Sequence, residues 1–454
     1  MNDQPDPTET FFATEEPFFR EFAREFTLDP AVTYFMAGQK GSMPRSVMAR
    51  FKAGLDQIAA DPFPVHVEAS ADIRATIARC YGTTPDQIAI TRNTTDALAL
   101  IFNGIEWQPG DEILISPLEH PSGITAALRT AARHGVVLRQ WGVPTHAQAT
   151  VEEVVAAFER RLVPGKTRAV FFSSPVWPLG QRMPERLLAQ AAQRAGALTI
   201  VDGAHYNGMI DPQLDATGVD FFALCGHKWQ CGPGGTGVLY IRNRMLAANA
   251  TPLPRFHIIR SQAREFPFDG SRGDWDIGQA LTTYGFPESA DWRALADACR
   301  RWDEVGRARI QQWHLSLGDY LRARIAQTFG PSSLLGAQRD PALKSGIVAF
   351  NPFESEAHRS DLAMNLAFRE RLLSEYRFRI SGKGVGDDGI IRQPDARARA
   401  FAPGTIPNLH PDTLEPAPMA HPHRVNACVW NHRAQIDAFV AAAQELVGRM
   451  MRSR

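Results

Sequence analysis

The sequence predicts an α/β protein: a large domain on a mainly parallel sheet with helices on both faces, followed by a smaller α+β domain at the C-terminus. Three observations carry this reading. Between about residue 70 and residue 242, short β-rich runs alternate with helical stretches. Several of those runs end in polar residues, and beyond residue 291 the pattern changes to a long amphipathic helix, three more β-rich runs and a terminal helix.

In chain order the first set of runs is Ile88-Ala89-Ile90, Glu112 to Ile115, Val136-Val137-Leu138, Ala169 to Phe172, Leu198 to Val201, Phe221 to Leu224 and Val238 to Ile241. Runs of this length, rich in Val, Ile and Phe and separated by helical segments, read as strands of βαβ units, and ligands of such sheets gather beyond the strands' carboxyl ends. From Asp291 to Phe329 the spacing of Trp292, Leu295, Cys299, Trp302 and Val305 predicts one long helix. Further strands are expected at Gly346 to Phe350, at Tyr376 to Ile380 and near Val425, with a helix from Arg433 to Met450. Residues 394 to 422 carry seven prolines, a density that excludes a regular helix and marks a loop, here expected at the substrate entrance. The resulting division is an N-terminal segment, 1–45, packing on the small domain, a large domain, 46–290, and a linking helix with the small domain, 291–454.

Composition narrows the function. The chain has 454 residues, with 49 basic and 49 acidic side chains, so no cationic excess attracts nucleic acid or an anionic membrane surface. Five scattered cysteines without a CxxC pair suggest neither a disulfide framework nor a zinc site. No apolar run is long enough to span a bilayer and the acidic N-terminus lacks the features of a signal peptide, so a cytoplasmic protein is expected.

The polar strand ends are the chemically informative feature. Thr94 and Thr95 stand where one strand run gives way to a helix, a place that offers hydroxyls and unbonded N–H groups to a phosphate. His120 follows the next strand. Asp202 closes a buried apolar run, where it needs a cationic or donor partner. Lys228 lies just beyond another strand, in "ALCGHKWQCGPGGTG". An acid able to hold a pyridinium nitrogen and a lysine able to form a Schiff base are the protein groups that pyridoxal 5'-phosphate requires.

On the segments "YFMAGQKGSMP", "TRNTTDAL", "EHPSG", "VDGAHYNG", "GHKWQCGPGGTGVLYIR" and "HRVNACVWN" the chain resembles fold-type-I pyridoxal-phosphate enzymes of the class V aminotransferase group, most closely isopenicillin N epimerase-like proteins. The resemblance implies that Lys228 carries the cofactor and then acts as base, and that Asp202 pairs with the pyridine nitrogen. It also implies that His205 approaches the 3-oxygen, that Thr94, Thr95 and His227 hold the phosphate, that His120 lies over the ring, and that Arg424 takes the substrate carboxylate. A homodimer acting on an amino acid or related amine is implied as well.

Some positions depart from that pattern. Cys225 stands where relatives have a phosphate-binding hydroxyl, Trp177 where desulfurases have an asparagine, and, where a neighbouring subunit is expected to complete the phosphate site, this chain offers either Thr283 or a backbone N–H of the Thr282 to Phe286 stretch. Residues 300 to 427 contain no cysteine, which disfavours a persulfide-forming desulfurase and leaves transamination, epimerisation or β-elimination. Two other classes compete. A nucleotide-binding loop is excluded because the lysine precedes the glycines, and a non-catalytic scaffold has no need to keep lysine, aspartate and arginine together. His410, His421 and His423 lack acidic or cysteine partners at ligand spacing, so no metal is expected.

Overall fold

The computed structural model describes residues 7–62, 66–242, 277–282, 289–382, 408–417 and 419–452. Among these, eleven strands form two sheets. The small sheet contains β1 (Thr33–Phe35), β9 (Ile347–Phe350), β10 (Phe378–Gly382) and β11 (His423–Asn426). The large sheet contains β2 (Ile88–Thr91), β3 (Glu112–Ile115), β4 (Val137–Gln140), β5 (Thr167–Ser173), β6 (Leu198–Asp202), β7 (Phe221–Cys225) and β8 (Gly237–Ile241). Its order is β2-β8-β7-β6-β5-β3-β4, with β8 antiparallel to both neighbours and all the remaining pairs parallel.

Alternation along these strands explains why both faces are covered. Val170, Phe172, Val201, Phe222 and Leu224 join one apolar cluster, while Ala169, Phe171, Ile200, Phe221 and Ala223 join another across the sheet. Successive side chains point to opposite faces, so a strand apolar at every position is stable only when layered on both sides. The second cluster is closed by the helix Thr94–Gly104, which contributes Ala97, Leu98, Leu100, Ile101 and Phe102.

The fold is the mixed α/β one that the sequence predicts, with one correction in the linking region. The stretch expected as a single helix from Asp291 to Phe329 is two helices, Ser289–Val305 and Arg307–Phe329. The break is at Gly306, whose φ of +96° no helical residue adopts and which glycine reaches without a side-chain clash. The helical spacing runs through the break, so periodicity could not reveal it.

The small sheet has the order β1-β10-β11-β9. β1 pairs parallel with β10, which puts the segment after Phe35 beside the large sheet's carboxyl edge. Gly41 N–H donates to the carbonyl of His227 at 2.8 Å, and a methyl group at Gly41 would collide with the carbonyl oxygen of Lys228. Of the proline-rich segment, residues 394–407 lie outside the described residues. Within its described part, Asn408 Nδ2 donates to the carbonyl of Val143 in the large domain at 3.0 Å, while His421 N–H donates to the carbonyl of Arg359 in the small domain at 3.2 Å. No helix among the described residues is long and apolar enough to cross a membrane.

Candidate active site

Because β2, β3, β5, β6 and β7 run in one direction, their carboxyl ends converge on one edge of the sheet, and a cavity of about 550 Å³ lies there. Each strand end delivers a polar side chain to its wall. Thr94 and Thr95 come from beyond β2, His120 from beyond β3, Ser173 and Trp177 from β5 and its exit loop, Asp202 and His205 from β6, and Cys225, His227 and Lys228 from β7. Arg424, on β11, enters from the small domain. Every site residue predicted from sequence therefore lines this cavity except Thr283, which lies outside the described residues.

The phosphate-type corner is a helix start. Asn93 caps the helix Thr94–Gly104 by accepting from Asp96 N–H at 2.9 Å, which leaves Thr94 and Thr95 as its first two residues. N–H groups at those positions have no intrahelical acceptor, and the helix dipole favours an anion there. Thr94 Oγ1 and His227 Nδ1 are buried and lack a hydrogen-bond partner of standard geometry. Cys225 lines the same corner, but its thiol donates to the carbonyl of Ala204 at 3.2 Å and burial pushes its pKa up, so it is a neutral, already engaged neighbour.

Asp202 and Lys228 rise from adjacent parallel strands. Asp202, paired in register with Ala223, is 4% exposed and accepts from Ala204 N–H at 3.0 Å. Lys228 follows β7 by three residues in a loop closed by Gly226 N–H to Thr236 carbonyl and Gly232 N–H to Gly226 carbonyl, both 2.8 Å. A side chain on Gly226 would collide with Thr236 Oγ1, so the tight return into β8 needs glycine at this point. Burial lowers the Lys228 pKa, Arg424 lowers it further, and Cys225 and Asp202 oppose the shift. An amine with a lowered pKa is the form needed to attack a carbonyl and to accept a proton.

His205 and His227 are neutral. Burial and then the Lys228 charge hold His205 well below its ordinary pKa, and burial with Lys228 and Lys40 brings His227 to about 4. The indole N–H of Trp229 donates to His205 Nδ1 at 3.3 Å, which leaves the His205 proton on Nε2 as a donor. His120 caps the helix Pro121–His134 by accepting from Ser122 N–H, and its ring stands edge-on to Trp177, with centroids 5.5 Å apart at 80°.

This donor set fits pyridoxal phosphate. It offers hydroxyls at a helix start for a phosphate, a buried acid for a basic ring nitrogen, an imidazole N–H for a phenolic oxygen, and a lysine amine for an aldehyde. No group of His, Cys, Asp and Glu suited to a metal occurs among the described residues. His423 instead bonds Asn365 at 2.9 Å, and His421 bonds Arg369 at 3.0 Å.

Sequence reasoning assigned no role to Gly38, Gln39, Ser173 or Trp229, the first three of which line the cavity. Ser173 ends β5 as Asp202 ends β6, so the strand-end rule applied to β5 would have found it. A methyl group at Gly38 would come within 3.1 Å of His205 Cε1, and nothing local in the sequence shows that approach.

The family described as Aminotransferase class-V matches residues 65–370. The isopenicillin N epimerase of Amycolatopsis lactamdurans is 29% identical over 337 residues, covering 72% of this chain and 83% of that protein. A probable cysteine desulfurase of Pseudomonas aeruginosa is 35% identical over 164 residues, 36% of this chain and 39% of that protein. Among solved structures, a complex of the cystine C-S lyase C-DES with its product cysteine persulfide superposes with a TM-score of 0.70 at 22% identity, covering 91% of this chain and 97% of that one.

Proposed function

Because the chain belongs to the class V aminotransferase family, we propose that it is a pyridoxal-phosphate-dependent enzyme that removes the α-proton of an amino acid or related amine, with transamination or epimerisation as the outcome. The observation that carries this reading is the placement of Lys228 and Asp202 on adjacent strand ends in one cavity with Arg424. Pyridoxal phosphate, when bound, supplies an electron sink conjugated to the substrate's nitrogen, which acidifies the bond to the α-hydrogen.

The chain's own residues do the rest. Thr94, Thr95 and the helix start hold the phosphate, with His227 beside them. Asp202 would hold a proton on a pyridine nitrogen, and His205 would donate from Nε2 to a phenolic ring oxygen. Lys228 is the point of covalent attachment and then, as a free amine, takes and returns the α-proton. Arg424 grips the substrate carboxylate, which fixes the α-hydrogen toward Lys228. His120 and Trp177 wall the cavity, and His120 is the acid/base available for an inversion.

A second reading, β-eliminating carbon-sulfur lysis, is favoured by the cysteine desulfurase relatives, whose similarity is confined to a shorter stretch. Persulfide transfer by a cysteine of residues 300 to 427 is disfavoured because that stretch has none. The large domain 46–290 and the C-terminal part 291–454 each supply part of the site. The enzyme acts in the cytoplasm, in keeping with five free, buried cysteines, and as a homodimer whose partner completes the phosphate corner. Light scattering giving the mass of a fully active single chain would overturn the dimer.

Incubating the loaded enzyme with candidate amino acids in D₂O tests the chemistry. Inverted, α-deuterated substrate identifies an epimerase, an oxoacid with pyridoxamine phosphate a transaminase, and pyruvate with a released sulfur species a lyase. Absence of α-exchange with every amine tried, in enzyme that retains its cofactor, would reject the reading.

A further inference from the structure

Behind the cavity wall lies a carboxyl that the mechanism above does not use. Glu119 is 3% exposed. Its Oε1 bonds the hydroxyl of Ser116 at 2.6 Å and its Oε2 bonds the hydroxyl of Ser173, the cavity-lining residue that ends β5. Ser173 pairs in register with Asp202 on β6. Glu119 is thus surrounded by the two serine hydroxyls and the backbone N–H of Ser173, with the charged side chain of Asp202 repelling a second anion.

We propose that Glu119 is a positioning residue held as a neutral acid, which donates its proton to Ser173 Oγ and so turns the Ser173 hydroxyl into the cavity as a hydrogen-bond donor. An ionised Glu119 can only accept, so the Ser173 proton would point away from the cavity. A protonated Glu119 reverses the bond at the same heavy-atom positions, with Oε2 donating and Ser173 Oγ accepting, and releases the Ser173 proton toward an oxygen or anion bound in the cavity. Burial next to Asp202 favours the neutral form, and the pKa is pushed up to about 8 although hydrogen bonds from both serine hydroxyls and the Ser173 backbone oppose the shift. The proton count is unchanged in the neutral range: one proton on Glu119, one on Ser173, and only their directions are set.

The first arm of the test is independent of the cofactor. Infrared spectra of the full-length enzyme should show the carbonyl band of a protonated carboxyl at neutral pH. That band should shift in D₂O, disappear in E119Q, move in S173A, and fade as pH rises through about 8. No such band at neutral pH, or one that S173A leaves in place, overturns the proposal. The second arm rests on the reading above and follows α-proton exchange by the loaded enzyme against pH. Wild type should lose rate above about 8. E119Q, whose amide nitrogen donates to Ser173 at every pH, should lack that limb. S173A should be slower by roughly tenfold at neutral pH and should be unaffected by adding E119Q, because the donor that Glu119 directs is already gone. An alkaline limb that persists in E119Q, or losses that multiply in the double variant, would overturn it. Failure of all exchange with the infrared band intact would count against the enzyme reading alone.

Discussion

The guanidinium carbon of Arg424 lies 5.3 Å over the ring of Trp177, and Arg424 Nη1 donates to the Trp177 backbone carbonyl. One residue comes from the small sheet and the other from the loop after β5, so the contact fixes a cation from one domain against the cavity wall of the other. Held this way, the fork is oriented before a substrate arrives, and little side-chain entropy is lost on binding.

Replacing Arg424 by Lys keeps the charge and removes the fork. KM for amino-acid substrates should rise roughly ten- to a hundredfold, the scale of one charge-assisted hydrogen bond, with the absorbance of the bound cofactor unchanged. Steady-state kinetics with matched spectra check this, and an unaltered KM would remove Arg424 from the substrate site.

Lys228→Ala should abolish the covalent attachment and slow α-proton removal by at least about a thousandfold, since both nucleophile and base are lost. Borohydride reduction followed by peptide mass spectrometry should put the pyridoxyl group on the wild-type peptide containing Lys228. An adduct on any other lysine would redirect the whole assignment.

What sequence made legible here was type and order: strands that read as apolar at every position, and a polar residue closing each. Asp202 was readable because it closes a buried run, and Lys228 because it stands just beyond one, between it and a glycine cluster, where a charge has to be explained. Gly306 was not, because the apolar periodicity of the linking helices continues across it, and only its positive φ reveals the break. The roles of Trp229 and Glu119 were hidden for a different reason. Both act through contacts made at the ends of neighbouring strands, Trp229 to His205 after β7 and β6 and Glu119 after β3 to Ser173 on β5, which only the order of the sheet brings together.

Glu119 also makes a prediction for stability. Its folded pKa, about 8, lies above its ordinary value of 4.5, so the folded state binds the extra proton between those values. The contribution of this group is therefore most favourable below about 4.5, declines as pH rises, and is constant above about 8. The loss across the window is on the order of a few kcal/mol. Glu119→Gln, which cannot ionise, should gain stability over wild type steadily from pH 5 to pH 8, measured by denaturant unfolding at each pH. A constant difference across that range would mean that Glu119 is ionised in the fold.

Trp229 should control the tautomer of His205. The imidazole is buried and neutral, so it has two tautomers to choose between, and the indole N–H at 3.3 Å from Nδ1 selects the one protonated on Nε2. A neutral hydrogen bond of this kind contributes about 1 kcal/mol, which corresponds to roughly a fivefold bias. Trp229→Phe keeps an aromatic ring against His314, whose centroid lies 5.1 Å away, but removes the donor. Because Trp229 is fully buried, the change also opens space and should lower the unfolding free energy by about 1–3 kcal/mol. The two effects separate by measurement: nitrogen NMR of His205 reads the tautomer, and denaturant unfolding reads the packing. The expected result is a mixed tautomer together with a cofactor dissociation constant raised less than about tenfold, because His205 would spend part of its time with an acceptor where a donor is needed. An imidazole still protonated only on Nε2 in Trp229→Phe would show that something other than the indole, within the cavity wall, sets the direction of that proton.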